Sequence, residues 1–223
     1  MKMKKVIAEA GNSFFKIKYN NRVFFAKYQD IEKLLSKFNI KELLICNTAQ
    51  KDFSKYTFLY SEFNKYYIKP QLKYNYDFSE LGIDRILASE FIFSNFSSNF
   101  ILFSFGSALT VNIIKNSVFE QGYIVSSKYK NYKSLMELGN LKSLTGDYKI
   151  KKTNKSLNTK QAVINGILKM ENAFIKEIIT ENNEFDIFLT GGDKNIPFNL
   201  FKSFYYSDNF VLNAMEVFND KKT

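Results

Sequence analysis

The sequence predicts a mixed α/β fold built from two related halves, and three observations lead to this prediction. The first 28 residues read as three short strands separated by turns. The same order of strand, glycine turn, strand and strand begins again near residue 99. Between these segments, an apolar helical pattern runs from Asp84 to about Phe96. A repeated plan joined by a helix indicates two halves of common architecture, residues 1–98 and 99–223.

The elements of the first half follow from its residue patterns. The stretch "KKVIAEA" is apolar, "FFKIKY" alternates and "RVFFAKY" follows, with "GNS" and "NN" as the turns between them. Residues 30–38 have helical spacing, with Asp30 at the cap position. The segments 41–47 and 55–60 are predicted as further strands. Local hairpins followed by crossover connections indicate a mixed sheet flanked by helices.

The second half repeats this plan. The stretches "NFILFSF", "ALTVNIIK" and "VFEQGYIV" are predicted as strands, with "GS" and "NS" as turns. Helices are predicted at about 127–138 and 159–180, followed by a strand at 185–190 and a closing helix at 208–219. No stretch has the composition of a flexible linker, so the two halves are expected to follow each other directly.

The composition excludes several kinds of site. The chain has no histidine, and Cys46 is its one cysteine. Ser-His-Asp sites, Cys-His sites, thiolate clusters and most zinc sites are therefore excluded, and acid–base chemistry falls to carboxylates, lysines or tyrosines. Cys46 is expected in the core. No apolar run reaches the roughly 18 residues of a membrane span, and the apolar part of the basic start is too short for a secretion signal. We therefore expect a cytoplasmic protein that does not associate with membranes.

The net charge of +10 raises the question of nucleic-acid binding. The lysines are spread along the chain, and arginine, whose planar fork suits base recognition, occurs only twice. The one dense basic stretch, residues 146–156, is interpreted as a solvated loop. The pattern argues against a nucleic-acid reader, and a small anionic substrate such as a nucleotide explains the basicity equally well.

Three glycine-containing turns follow predicted strands, at residues 9–16, 104–110 and 189–195. Glycine lets the backbone come close to an anion and direct its N–H groups toward it. None of the turns matches a P-loop or a Rossmann fingerprint, and each alone is typical of a hairpin. Their joint occurrence, one at the start of each half and one before the last helix, favours a phosphate-binding role.

This layout resembles the superfamily of actin, hexokinase and the heat-shock ATPases, in which two ribonuclease-H-like halves hold ATP in a cleft between paired hairpin turns. Within it, the chain is similar to the type III pantothenate kinases, which make phosphopantothenate in the first committed step of coenzyme A synthesis. The motif "GIDR" (82–85) carries this resemblance. Further matches are "EAGNSFFK", "FGSALTVN", "TKQAVINGI" (159–167), "LTGGD" and "DNFVLNAM". The resemblance spans most of the chain and implies the same two halves and cleft.

The resemblance implies roles on the substrate side. Asp84 would be the general base that takes the proton of the pantothenate hydroxyl, and Arg85 would pair with the pantothenate carboxylate. Thr159 corresponds to a threonine that reaches the substrate from the partner subunit of a homodimer. Tyr76 matches the substrate-side tyrosine better than Tyr74, which stays open as the alternative. The substrate-side set is therefore Tyr76, Gly82, Arg85 and Thr159, with Asp84 as the base.

On the nucleotide side, the resemblance implies ATP, Mg²⁺ and a monovalent cation, K⁺ or NH₄⁺. Glu9 would be the carboxylate on the metal side, and Ser104 occupies a position where the family has an aspartate. The residues implied to surround the nucleotide are Glu9, Gly11, Asn12, Ser13, Lys16, Gly106, Ser107, Gly191 and Gly192.

The chain departs from the family pattern at the same site. Glu9 replaces an aspartate and extends the carboxylate by one methylene, a displacement above about 1 Å that can cost around 10²-fold in rate. Ser104 and Asn112 replace two further aspartates, so weaker cation binding is expected. The first hypothesis is a pantothenate kinase that these departures can slow, and the second is a catalytically impaired dimer that acts as a binding or regulatory module. A basic nucleic-acid-binding protein is the third and least favoured alternative. An ordinary helix start would also explain Asp84 by itself.

Overall fold

The computed structural model of the protein describes residues 6–139, 141, 155–193 and 195–220. In these ranges, eleven strands and five α-helices form two mixed sheets flanked by helices. The mixed α/β class predicted from the sequence is confirmed.

The elements are bounded as follows. The strands are β1 (Val6–Ala10), β2 (Phe15–Tyr19), β3 (Arg22–Ala26), β4 (Glu42–Asn47), β5 (Leu59–Glu62), β6 (Lys73–Tyr74), β7 (Phe100–Phe105), β8 (Ala108–Lys115), β9 (Val118–Ser126), β10 (Asp186–Thr190) and β11 (Tyr205–Tyr206). The helices are α1 (Ile31–Lys37), α2 (Ile83–Asn95), α3 (Lys128–Met136), α4 (Thr159–Glu181) and α5 (Phe210–Asp220).

The two sheets have the same strand order. The first sheet runs β3-β2-β1-β4-β5, and the second runs β11-β10-β7-β8-β9-β6, so β9-β8-β7-β10-β11 repeats the first order. In each, the central strand has parallel neighbours on one side: β1 with β4 and then β5, and β7 with β10 and then β11. The repeated plan seen in the sequence is therefore a repeated sheet.

Matching turns link the second and third strands of each repeat. Asn20 and Asn21 between β2 and β3 have φ values of 49° and 59°, and Asn116 and Ser117 between β8 and β9 have 49° and 64°. Two consecutive left-handed residues give a hairpin turn whose twist matches the strands, and asparagine adopts this conformation more easily than most residues.

Two details of the first half differ from the prediction. Asp30 does not cap α1 with its side chain. Its backbone N–H instead donates to Lys27 O at 2.9 Å in a 3₁₀ turn that leads into the helix. The strand predicted at 55–60 lies later, at β5, and Phe58 before it packs on Phe53 in the core with ring centres 6.2 Å apart. The strands β6 and β11 were not predicted, since two residues are too few to show a pattern.

The described residues cluster into two compact units. Unit 1 contains the segments 6–98, 114–121 and 209–220, and unit 2 contains 99–113 and 122–208. Each unit has its own apolar core, built on the first sheet in unit 1 and on β7, β8, β10 and α4 in unit 2. The division of the chain at residue 98 stays a prediction. No helix in the described ranges is both long enough and apolar enough to cross a membrane.

Candidate active site

The first turn of α2 carries the "GIDR" motif in unit 1. Gly82 precedes the helix with extended backbone angles, φ −59° and ψ 138°. A Cβ atom on residue 82 would lie 2.7 Å from Asp84 Oδ1, so the absence of a side chain leaves room for this carboxylate. The backbone N–H groups of Asp84 and Arg85 donate to the same carboxylate. The sequence therefore folds the Asp84 side chain back over the start of the helix.

The Asp84 carboxylate is partly buried. Burial raises its pKa above the ordinary value of 3.8, although the N–H of Arg85 and the Arg85 charge act in the opposite direction. A carboxylate whose pKa lies above the usual range holds a proton more readily, which is the property that a general base needs. Asp84 can therefore accept a proton from a hydroxyl group brought to this turn.

Arg85 is held against two aromatic rings. Its side chain is only 7% exposed, and its guanidinium carbon lies 5.9 Å from the Tyr76 ring centre and 5.6 Å from that of Phe119. Burial lowers the pKa of Arg85, while the Asp84 charge, the Tyr76 charge and a Tyr76 hydrogen bond raise it. Aromatic faces fix the plane of a guanidinium. An oriented fork of this kind suits a carboxylate ligand.

The two tyrosines that the sequence left open have different surroundings. The Tyr74 hydroxyl donates to Glu90 Oε1 at 2.8 Å, and its ring stacks on Phe119 at 5.6 Å. Burial and the Glu90 charge raise the pKa of Tyr74. Tyr76 is 36% exposed and lies beside Arg85. The hydroxyl of Tyr74 is thus engaged inside the fold, which favours Tyr76 as the residue that can meet a ligand.

Glu90, in the middle of α2, was missed by the sequence interpretation. Its carboxylate is fully buried and accepts hydrogen bonds from Gln71 N at 2.9 Å, Leu72 N at 3.3 Å and the Tyr74 hydroxyl. Burial raises the pKa of Glu90, and these three donors lower it. The carboxylate ties residues 71–74 to the helix. A signal was present, because Glu90 is the one acidic residue in the apolar stretch after Arg85.

An ion pair joins the two strands that flank the first glycine turn. Glu9 in β1 lies opposite Lys16 in β2, and Lys16 Nζ is 3.1 Å from Glu9 Oε2. Both side chains are mostly buried, at 15% and 13% exposure. The pair joins the two ends of the turn, so the metal-side carboxylate and the phosphate-side lysine implied by the resemblance lie together.

The turn itself is closed by backbone groups. Gly11 N donates to Phe14 O at 3.1 Å, and the Tyr28 hydroxyl donates to Gly11 O at 2.5 Å. Burial, with the charges of Tyr56 and Glu9, raises the pKa of Tyr28 to about 12, so its hydroxyl stays a donor. Asn12 and Ser13 are exposed at the tip. The turn presents polar groups outward on a fixed base, as a phosphate-binding turn requires.

Cys46 connects this turn to Asp84. The cysteine is buried, as expected, and is the residue of β4 that pairs with Glu9. Burial raises the pKa of the thiol, and the charges of Asp84, Glu9 and Glu62 raise it further. The carboxylates of Asp84 and Glu9 therefore lie within electrostatic range of one buried thiol. Both residues lie in unit 1.

Unit 2 brings the other two glycine turns together. Gly106 N donates to Ala108 O at 3.0 Å, with Ser107 at the tip of this hairpin. Gly191 has a φ of +114°, and a Cβ there would lie 2.1 Å from Phe105 O, so only glycine fits. The two turns are neighbours because residue 191 packs on the backbone that leads directly into Gly106. Gly192 is exposed beside it.

Lys128, the first residue of α3, was also missed. Its side chain is 2% exposed, and Nζ lies 2.9 Å from Glu171 Oε1, 3.0 Å from Asp193 Oδ2 and 3.0 Å from Asn195 O. Phe105 lies under the same ammonium group, 5.9 Å from its ring centre. Lys128 therefore ties the Gly191–Gly192 turn to α4. Nothing in the local sequence distinguishes this lysine from the solvated ones.

The residues implied to bind Mg²⁺ and a monovalent cation differ in the charge that they carry. Mg²⁺ is usually held by one or two carboxylates together with substrate phosphates and water, and Glu9 offers one such carboxylate. Ser104 faces Thr190 across the sheet and supplies a hydroxyl where the family has a charge. Asn112 is 1% exposed and is likewise uncharged. The described residues contain no group of three or more acidic, cysteine or histidine side chains that could hold a metal ion. Glu9, whose carboxylate pairs with Lys16, is thus one carboxylate available on the metal side, and the uncharged Ser104 and Asn112 supply no charge for a monovalent cation.

Thr159 is the first residue of α4 in unit 2 and is exposed. The helix start is capped by its neighbour, since Asn158 Oδ1 accepts from Gln161 N at 2.9 Å. Thr159 is therefore not the capping residue, and its side chain points away from the core. Most of the basic stretch 146–156 lies outside the described residues.

Comparisons with known proteins identify the family of this chain. Residues 26–181 match the family described as type III pantothenate kinase. A type III pantothenate kinase from Campylobacter hominis is 28% identical over 220 residues, covering 94% of this chain and 95% of that protein. Another from Mycoplasmopsis synoviae is 31% identical over 137 residues, covering 59% and 52%.

A solved structure has the same fold over nearly the whole chain. A protein named as a Baf family transcriptional activator from Campylobacter jejuni superposes with a TM-score of 0.67 at 20% identity, covering 97% of this chain and 98% of that one. At this identity, the likeness is evidence for the fold and leaves the chemistry to the site residues.

Proposed function

Because the chain belongs to the type III pantothenate kinase family, we propose that it transfers the γ-phosphoryl group of ATP to the hydroxyl of pantothenate. The product is 4'-phosphopantothenate, formed in the first step of coenzyme A biosynthesis. The observation that carries the assignment to this site is the partly buried Asp84 carboxylate, whose pKa is raised beside the oriented Arg85.

The substrate side works by placement and proton transfer. Arg85 binds the pantothenate carboxylate, Tyr76 contacts the substrate beside it, and the hydroxyl group to be phosphorylated lies at Asp84. As the hydroxyl oxygen forms its bond to phosphorus, its proton passes to Asp84, and the bond to the leaving ADP oxygen breaks. Phosphoryl transfer asks little covalent chemistry of the protein, so correct placement supplies most of the acceleration.

The nucleotide side works through backbone N–H groups and charge. The turn at Gly11, with Asn12, Ser13 and Lys16, binds phosphate oxygens, and Glu9 would hold Mg²⁺. When bound, Mg²⁺ neutralises charge between the phosphates. The resemblance also implies nucleotide contacts for Gly106, Ser107, Gly191 and Gly192, which lie in the two glycine turns of unit 2.

Thr159 contributes to the partner's site in a homodimer. Its exposure at the start of α4, without a capping duty, supports this assignment. We propose the cytoplasm as the site of action, in keeping with water-soluble substrates.

The test is ATP-dependent phosphorylation of pantothenate by the purified protein with Mg²⁺ present. Asp84→Asn is expected to lower kcat by about 10²–10⁴-fold, the usual contribution of a positioned base. The matched control is Glu80→Gln, an exposed carboxylate in the same segment, which should leave kcat unchanged. Equal kcat for wild type and Asp84→Asn would exclude Asp84 as the base.

A second function is favoured by one observation, the uncharged Ser104 in place of a carboxylate. In that case the protein is a dimeric binding or regulatory module that keeps the substrate site. Wild-type protein that binds pantothenate in calorimetry and forms no product, at any Mg²⁺, K⁺ or NH₄⁺ concentration, would replace the kinase assignment with this one.

A further inference from the structure

A lysine ammonium group closes the loop that leads into the "GIDR" turn. Lys65 Nζ lies 3.1 Å from Phe78 O and 3.1 Å from Leu81 O, and it also contacts Ser79 O. An ammonium group has three N–H donors and no acceptor, so three converging carbonyl groups match its full donor set.

The loop is folded in a way that makes these carbonyl groups converge. Asp77 Oδ1 accepts from Ser79 N at 2.8 Å and from the Ser79 hydroxyl at 2.7 Å. Asp77 O accepts from the N–H groups of Glu80 and Leu81, both at 3.2 Å. The N–H groups of residues 79–81 are thus directed to Asp77. The carbonyl oxygens of residues 78, 79 and 81 are left to another donor. Lys65 is that donor.

The loop is joined rigidly to the catalytic turn. Leu81 is only 1% exposed and is followed directly by Gly82, whose carbonyl accepts the first helical hydrogen bond, from Ile86 N at 3.1 Å. Ser79 and Glu80 are exposed, so solvent covers the outer side of the loop. The position of Asp84 along α2 therefore depends on a short loop held by Asp77 from one side and Lys65 from the other.

We infer that Lys65 is a positioning residue for the substrate site, which acts by fixing residues 77–81 and through them Asp84 and Arg85. This inference rests on the proposed function for its consequence in catalysis. Its structural content, that the ammonium group holds the loop, can be tested without turnover.

The first experiment compares Lys65→Met with Lys69→Met. Methionine keeps most of the length of the side chain and removes the charge and the donors, and Lys69 is an exposed lysine of the same segment. Amide hydrogen exchange of peptides covering residues 77–86 is expected to rise at least tenfold in Lys65→Met and to stay at the wild-type level in Lys69→Met. Unchanged exchange in Lys65→Met would overturn the inference.

Steady-state kinetics on the same variants separate positioning from general weakening of the fold. Lys65→Met is expected to lower kcat/KM for pantothenate about tenfold and to leave the KM for ATP unchanged, because the glycine turns lie on other elements. An equal loss for both substrates, or no loss for pantothenate despite raised exchange, would overturn the positioning role.

Chemical rescue provides a second variant. Lys65→Ala removes three carbon atoms and the ammonium group, the same number of carbons that n-propylammonium contains, so this ion should restore both exchange protection and pantothenate kcat/KM with saturable dependence. Tetramethylammonium has the same charge and no N–H donor, and it should restore neither. Failure of rescue, or equal rescue by both ions, would overturn the inference.

A wild-type protein without kinase activity would refute the proposed function only, since the exchange measurements would still decide whether Lys65 holds the loop.

Discussion

Helix α2 carries two acidic residues whose surroundings differ. Burial raises the pKa of both Asp84, in the first turn, and Glu90, near the middle. Glu90 accepts three hydrogen bonds from groups inside the fold. Asp84 is partly exposed, and its described donors are backbone N–H groups of the helix start. A buried charge with a complete set of internal partners holds the fold, whereas one that faces outward on a fixed base can exchange a proton with a ligand.

Unit 2 contains the same two cases. Lys128 is enclosed by two carboxylates and a carbonyl oxygen, while Gly192 in the neighbouring Gly191–Gly192 turn is exposed. Each unit therefore has an enclosed charge close to a more open element, and the family resemblance assigns the open element to ligand binding. The substitutions below should affect stability at the enclosed residues and activity at the open ones.

The largest effect on stability is expected for Lys128→Met. Removing the ammonium group leaves Glu171 and Asp193 close together in a buried place without a cation, which typically costs about 3–5 kcal/mol. Urea denaturation should show this loss as a lower midpoint with an unchanged slope. The control, Lys130→Met, removes an exposed lysine two residues away and should change the free energy of unfolding by less than about 0.5 kcal/mol. Similar midpoints for the two variants would mean that the Lys128 cluster does not stabilise unit 2.

Glu90→Gln should have the next largest effect. The amide NH₂ group cannot accept the hydrogen bonds that one carboxylate oxygen now receives, so a buried donor from Leu72, Gln71 or Tyr74 is left without a partner. That loss costs about 1–3 kcal/mol. Thermal or urea unfolding measures it, and kcat per folded molecule should stay near wild type. A variant of unchanged stability but low kcat would place Glu90 in the catalytic machinery and reverse the comparison.

Asp84→Asn should raise the free energy of unfolding at pH 7, whereas Lys128→Met and Glu90→Gln should lower it. Since the folded pKa of Asp84 lies above its ordinary value, the folded state binds more protons than the unfolded state between the two pKa values. The contribution of Asp84 to stability is therefore greatest below the unfolded pKa and is lost as the pH rises through the folded pKa. Asparagine carries no charge, so the variant should be more stable than wild type at pH 7.

The same reasoning fixes the pH dependence of this difference. The stability advantage of Asp84→Asn should shrink as the pH falls toward about 4, where the wild-type carboxyl group becomes protonated in both states. Urea midpoints of both proteins from pH 4 to pH 8 measure it. A difference that is independent of pH would show that burial does not penalise the Asp84 charge.

The sequence analysis singled out the open residues and missed the enclosed ones. The order of elements along the chain, the three glycine turns and the Asp84–Arg85 pair all come from short segments that can be recognised locally. Lys128 reaches Glu171 across 43 residues, and the partners of Lys65 are backbone atoms 13 to 16 residues away. In a chain with 32 basic residues, nothing local marks these two lysines, so only the fold could identify them.

The choice between Tyr74 and Tyr76 also could not be made from the sequence, although the two residues are only two positions apart. Residues two apart lie on the same face of a strand, so the sequence could not separate their roles. The strand β6 ends at Tyr74, whose hydroxyl bonds Glu90, and Tyr76 lies beyond the strand beside Arg85. The two tyrosines therefore differ because Tyr74 belongs to the strand and Tyr76 does not, a difference that the sequence pattern does not show.

The smallest expected effects come from removing the two hydroxyl groups. Tyr76→Phe keeps the ring over Arg85 and removes the hydroxyl group proposed to contact pantothenate, a hydrogen bond worth about 1 kcal/mol, so the KM for pantothenate should rise about threefold to tenfold. Tyr74→Phe removes a donor to Glu90, so it should lower the free energy of unfolding by about 1 kcal/mol and leave this KM unchanged. Parallel kinetics and urea denaturation on both variants measure the two quantities. If the two results were exchanged, Tyr74 would be the substrate-side tyrosine, and the contrast between enclosed and open residues would not hold around Arg85.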